Sequence, residues 1–192
     1  VEDVRELTHP LLGTVPFAVL RPVSGAFALR DDAPPRKTRT TADILGAIWR
    51  ADIVDELDGL PLAVKLEAWA AQKEPFLLAA DAVEQEPYGS SAWAVLELAA
   101  AEVRDGLELA ATAARAAGCR VALPRRLRRR WPELNGLCLT ARRRYPWHEE
   151  GLLYSMHKGD RLPVFRVGVQ ACRAVWEAVQ YGRMPVGGMV TV

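Results

Sequence analysis

A chain of 192 residues has the length of one domain, or of one domain plus an ordered arm, and can bury a real core. Half its residues are hydrophobic and 26% are charged, which excludes collagen-like, mucin-like and wholly disordered chains. With 25 basic against 24 acidic residues the net charge is +1, so a generally cationic nucleic-acid protein is excluded as well.

No apolar run approaches the roughly 18 residues of a bilayer span. The start, Val1-Glu2-Asp3, lacks the basic and apolar regions of a signal peptide. Three cysteines, Cys119, Cys138 and Cys172, are odd in number and far apart. They suggest neither a disulfide framework nor metal-ligand spacing, and each reads as a buried small hydrophobe. A cytoplasmic, reduced protein without a transmembrane segment is the expectation.

Residues 1–40 carry His9-Pro10, Pro16, Pro22, Gly25 and Asp31-Asp32-Ala33-Pro34-Pro35-Arg36-Lys37, with short apolar pieces at Phe17 to Leu20 and Ala26 to Leu29. This predicts an arm with one or two short strands, then a polar linker. The α/β domain is expected over 41–192. Thr40 or Thr41 can cap a helix whose Ile44, Leu45, Ile48 and Trp49 share a face. Phe76 to Ala80 predicts a buried strand, Ala92 to Ala117 a helix stopped by Gly118, and Cys119 to Leu123 the next strand. Arg125 to Trp131 reads as a short basic helix and Leu137 to Ala141 as a third strand. Glu149 to His157 and Val169 to Gln180 follow as helices, the latter ending before Gly182, and Val190-Thr191-Val192 as a last strand. Strands alternating with helices imply an α/β fold with a mostly parallel sheet.

Charge is segregated along this order. Between Asp52 and Glu86 there are nine carboxylates against two lysines, and between Arg125 and Arg144 eight arginines against one acid. The basic stretch could meet nucleic acid, but arginine is also frequent on the surfaces of Ala- and Arg-rich chains, so nucleic-acid binding is not the expected function. The two patches suit docking to a protein partner or self-association.

Three stretches could carry chemistry. Ile53 to Leu66 joins two elements where α/β proteins often place ligand loops, although alone it is a polar turn. Lys65, after a strand-like Ala63-Val64, is either a contact to an anionic ligand or a solvated charge. Asp81, Glu84 and Glu86 lie at the carboxyl end of a predicted strand, where ligand crevices of open α/β sheets form; the bland alternative is a solvated loop. Tyr145-Pro146-Trp147-His148-Glu149-Glu150 puts an imidazole and two carboxylates in the first turn of a helix, a position its dipole favours for acids even without a ligand. The three histidines form no set at metal spacing, and no metal site is expected.

In this order the stretches resemble the nucleotide-binding domain of the Rnf complex C subunit and of the NADH-oxidising flavoprotein subunit of respiratory complex I. Ile53-Val54, Pro61 and Val64-Lys65-Leu66 match the ends of that family's I-V-G-L-G-G-A-G-F-P-T-H-V-K-L. Asp81 to Tyr88 matches N-G-A-E-C-E-P-Y, Tyr145 to Leu153 matches Y-P-x-G-[GE]-E-x-x-L, and Ala174 to Met184 matches A-I-Y-D-A-V-x-x-G-K-P. The likeness covers roughly residues 41–192. It implies a Rossmann-like three-layer domain holding FMN and accepting hydride from NADH, an NADH-linked flavin-dependent oxidoreductase if active. Lys65, Asp81, Glu84, Glu86, Tyr145, Glu149 and Glu150 would be its cofactor-binding residues. It also implies a redox or assembly protein partner.

The departures from the family pattern are specific. The loop is one residue shorter, and Glu56, Leu57 and Asp58 stand where glycines let backbone N–H groups approach the FMN phosphate; Gly59 alone is kept. Asp81 and Gly168 stand at asparagine positions, and His148 at a glycine. The C-x-x-C-x-x-C runs of the family's iron–sulfur clusters are absent from this sequence, so no cluster is expected. The family's β-grasp-like domain would follow Val192, so the chain is read as a fragment or a pared-down paralogue. Two functions remain: an electron-transfer domain with a degraded FMN site, or a non-catalytic paralogue acting as an interaction or assembly module.

Overall fold

The computed structural model describes residues 3–9, 13–19, 40–83, 91–141 and 162–184. The expected helix over 149–157, the terminal strand at 190–192 and the apolar piece at 26–29 lie outside them.

In the arm, β1 (Asp3–His9) and β2 (Gly13–Val19) pair antiparallel, with His9 opposite Gly13 and Asp3 opposite Val19. The domain proper opens with α1 (Thr41–Arg50), and Thr40 is its N-cap. The Thr40 Oγ1 accepts from the Asp43 N–H while the Asp43 carboxylate accepts from the Thr40 N–H, a reciprocal capping box that satisfies two otherwise orphaned donors. Ile44 and Ile48 bury the predicted face, whereas Trp49 is 47% exposed and donates its indole N–H to Glu67.

Next comes α2 (Leu62–Ala70), which corrects the strand-like reading of Ala63-Val64. Pro61 at its N-cap and the burial of Leu62, Ala63 and Leu66 show a helix with one apolar face; the apolar run was too short to separate the two periods. The remaining elements are β3 (Leu77–Asp81), α3 (Ser91–Ala113), β4 (Gly118–Pro124), β5 (Cys138–Ala141), β6 (Val164–Gly168) and α4 (Val169–Tyr181). The sheet order is β5-β4-β3-β6 and every pairing is parallel, as α/β alternation predicts. All five residues of the inner strand β3 are buried. Helices α1, α3 and α4 pack together around Ile48, Val103, Leu107, Cys172 and Val175.

Two boundaries differ from expectation. Helix α3 ends at Ala113, and the reversal uses Arg115 in the left-handed region (φ 57°). Gly118 is therefore not its cap but the first residue of β4, opposite Leu77, because Ala117 already donates to the Phe76 carbonyl at 2.8 Å. The basic segment forms only a single 3-10 turn, Arg125–Leu127, followed by turns and the buried Trp131. The five arginines stay exposed, and Leu127 and Trp131 pack the segment against the core. Helix α4 stops as expected at Gly182, in the left-handed conformation (φ 66°) with its N–H on the Ala178 carbonyl. Cys119 and Cys172 are buried, while Cys138 is only half-buried.

Candidate functional site

The parallel sheet brings the carboxyl ends of β3, β4 and β6 to one edge, and the loop between α1 and α2 folds over the end of β6. Residues 51–61 close on themselves. Leu62 donates to the Ile53 carbonyl (2.8 Å), Asp55 to that of Leu60 (2.9 Å), and Gly59 to that of Asp55 (2.8 Å). Gly59 has φ 73°, a left-handed conformation that explains the one glycine the loop keeps.

Asp55 is the centre of this loop and is fully buried. One carboxylate oxygen accepts from the N–H groups of Leu57 (3.1 Å) and Gly168 (2.9 Å), and the other from Lys65 Nζ at 2.5 Å. A buried charge is tolerable only with this kind of pairing and hydrogen bonding. Lys65 also contacts Asp58 at 2.6 Å and lies over the Trp69 ring. With its side chain only 10% exposed, it is an internal cation between two carboxylates, not a solvated charge. Burial alone would push the Asp58 carboxyl up, but the Lys65 ammonium and the Leu60 N–H outweigh it and hold it below the ordinary carboxylate value.

Glu56 reaches the start of α4. Its two oxygens accept from the N–H groups of Gln170 (2.6 Å) and Ala171 (3.0 Å), the second and third residues of that helix. Those positions are the ones an N-cap side chain normally serves, and Gly168, which precedes the helix, has no side chain to serve them. Glu56 is thus a cap supplied from another part of the chain. A methyl group on Gly168 would overlap the Glu56 carboxylate, so the asparagine-to-glycine departure and the glycine-to-glutamate departure fit one another. Desolvation raises the Glu56 carboxyl above its ordinary value, and neighbouring Asp55 adds to the effect; N–H groups of its own residue, Gln170 and Ala171 oppose it.

On the adjacent strand ends, Asp81 of β3 pairs with Arg166 of β6 at 3.0 Å and accepts the Val83 N–H at 2.9 Å. Burial raises the Asp81 carboxyl despite both partners. Trp93 donates to the Ala82 carbonyl at 2.8 Å, fixing the start of α3 beside this strand end.

Of the residues singled out from the sequence, Lys65 and Asp81 therefore lie at the same edge of the sheet, each in an internal ion pair. Glu84, Glu86, Tyr145, Glu149 and Glu150 lie outside the described residues. Asp55 and Arg166 emerge only in the structure. Arg166 sits in β6, whose alternation from Val164 to Val167 is broken by a charge, and Asp55 looks like one more carboxylate of a polar turn. Among the described residues no group of three or more His, Cys, Asp or Glu side chains could hold a metal ion, and no helix is long and apolar enough to cross a membrane.

Among the described residues, the start of α4 does not fit the phosphate of FMN. At the start of α4 the N–H groups of Gln170 and Ala171 are already taken by Glu56, and that of Gly168 by Asp55. Carboxylates at those donors would repel an entering phosphate.

No protein-family model matches this chain, and no curated protein matches it in sequence. Solved structures do. A chain of the NAD+-reducing [NiFe]-hydrogenase in the H2-reduced state superposes with a TM-score of 0.59 and 18% identity, over 78% of this chain and 34% of that one. The air-oxidised form gives a TM-score of 0.59 and 16% identity, over 72% and 30%. This chain thus spans about a third of the length of those hydrogenase chains. At such identity the likeness shows the fold, and the chain is an α/β, Rossmann-like domain of the architecture also found in an NAD+-reducing enzyme.

Proposed function

We propose that this chain is a degenerate relative of the Rnf C-type, NADH-oxidising flavoprotein domain whose FMN loop is closed by its own carboxylates. It works as a non-catalytic interaction module within an electron-transfer assembly. One observation carries the reading: the Glu56 carboxylate occupies the N–H groups at the start of α4, in the loop where the family has glycines. Two features support it. The chains that share the fold come from an NAD+-reducing [NiFe]-hydrogenase, and this chain covers about a third of their length. Lys65 of α2, which could otherwise meet an anion, is satisfied by Asp55 and Asp58.

No hydride-transfer step follows from this geometry. What the residues do is hold the loop shut: Asp55 ties it to Gly168, Glu56 ties it to α4, and Lys65 balances the charges of Asp55 and Asp58.

The test is the visible spectrum of the purified protein, followed by calorimetric titration with FMN and with NADH. A colourless protein with no FMN isotherm is expected. A flavin band, or FMN binding in the micromolar range, overturns the reading; so does NADH oxidation with an artificial acceptor.

A further inference from the structure

The outermost strand on one side of the sheet, β5, is paired along its inner edge only. The Leu137 carbonyl accepts from the Val121 N–H of β4 at 2.8 Å. By the two-residue alternation of a strand, Leu139 and Ala141 also turn their backbone groups towards β4, and Cys138 and Thr140 turn theirs outward. Among the described residues, the outward N–H and C=O groups of Cys138 and Thr140 have no hydrogen-bond partner, and both residues are partly exposed. An open strand edge is a template for one more strand.

A strongly basic segment runs beside that edge. The connection from β4 to β5 packs Leu127, Trp131 and Leu134 against the core on the side of the sheet that α3 covers. The Cys138 thiol of β5 lies 3.5 Å from the Arg128 carbonyl and 3.4 Å from that of Leu134, so the segment adjoins the open strand. Its five arginines, Arg125, Arg126, Arg128, Arg129 and Arg130, are exposed. Arg130 pairs with Glu97 and Arg126 lies over the Trp93 ring, both of α3. Arg125, Arg128 and Arg129 are left without an ion pair among the described residues, and the one acid of the segment, Glu133, acts on Arg104 of α3.

We infer that the outer edge of β5 and the arginines beside it form a docking surface for an acidic, extended segment of a partner protein, which adds a fifth strand to the sheet. Its backbone pairs with Cys138 and Thr140. Because side chains alternate across a strand, carboxylates at every second position fall on the α3 side, towards Arg128 and its neighbours, where charge-assisted hydrogen bonds are available.

Two observations favour a peptide over a nucleic acid. A phosphodiester backbone has no N–H to give the outward carbonyls of Cys138 and Thr140. With the five arginines set aside, the chain keeps 20 basic against 24 acidic residues, so a long polyanion running past this corner meets a body of its own sign. A second copy of this chain is disfavoured too, since setting β5 against β5 brings two arginine segments together. The surface lies at the opposite side of the sheet from β6, whose end the 51–61 loop covers, so the inference is independent of the fate of the FMN loop.

The experiment is fluorescence polarisation of a labelled peptide of about eight residues, alternating Thr and Glu, titrated with the whole chain in about 0.1 M salt. Binding is expected, and none of the matching Thr and Lys peptide. Arg128→Glu with Arg129→Glu is expected to weaken it about tenfold. Thr140→Pro, which removes an outward N–H and leaves the ladder to β4 intact, weakens it as well. Each variant is checked for an unchanged thermal transition. The Thr and Glu peptide N-methylated at every amide keeps its charge but not its donors, and is expected to lose binding to the unaltered chain, a readout that needs no variant. Absence of binding up to about 1 mM peptide overturns the inference. Binding that is unchanged by N-methylation overturns it by showing charge without strand pairing. An oligothymidylate of similar length that binds as tightly as the peptide overturns it too, and assigns the arginines to nucleic acid.

Discussion

Glu56 holds a charge where two requirements conflict. Desolvation and the neighbouring Asp55 disfavour the carboxylate, two N–H groups of α4 favour it, and the net effect raises the Glu56 pKa above its ordinary 4.5. A carboxyl whose folded-state pKa exceeds its unfolded value binds more protons when folded throughout the interval between the two. Its contribution to stability is therefore present below pH 4.5 and is lost as pH rises through the folded pKa. Asp81 acts in the same direction from 3.8 upward, and Asp58 in the opposite direction, losing its stabilising contribution as pH falls below 3.8. The three are separable by substitution. Glu56→Gln is expected to gain on the wild type as pH rises above 4.5, since the variant has no charge to desolvate. Thermal unfolding of both proteins from pH 4 to pH 8 checks this; a difference in Tm that is flat with pH, or that moves in favour of the wild type, contradicts the desolvation argument.

At the scale of elements, α4 is held by more than its own sequence. Its N-terminus is capped by Glu56, and its side packs on α3 so closely that a Cβ at Gly106 would collide with the backbone carbonyl of Cys172. Neither neighbour can give way, because the obstructing atom is backbone within a helix whose Cys172 is fully buried. Gly106→Ala is accordingly expected to cost about 2 kcal/mol, more than the helix propensity it gains, in denaturant unfolding. An alanine variant as stable as the wild type would mean that α3 and α4 slide apart freely. Much of this packing was legible in the sequence: α1 from its cap and four apolar residues, β3 and β4 from short buried runs, α4 from its face and the glycine after it. What escaped was short and ambiguous. Helix α2 begins with an apolar triplet compatible with either period, and β6 is five residues long with a charged Arg166 at its centre. Arg166 is accommodated by Asp81, 85 residues away, and a pairing at that separation leaves no local trace in the sequence.

For the molecule as a whole, the loop that closes the edge is a matter of backbone length as well as side chains. Glycine-for-carboxylate changes were suggested by the sequence, since Glu56 and Asp58 stand at glycine positions. The backbone path of the loop is a reason to expect that reversing them does not restore FMN binding. The span is cross-linked by the bonds from Leu62 to Ile53, Asp55 to Leu60 and Gly59 to Asp55, and it is anchored by Asp55 to Gly168 on the far side of the site. None of these bonds uses the side chains of Glu56 or Asp58. The double variant Glu56→Gly, Asp58→Gly is therefore expected to free the start of α4 and the Leu60 N–H that Asp58 accepts, yet keep the backbone path and leave Gly168 engaged by Asp55. Titration of this variant with FMN should remain silent, while a loop lengthened by one residue and rich in glycine could follow a different path. An FMN isotherm with the double variant would show that side chains alone had closed the site.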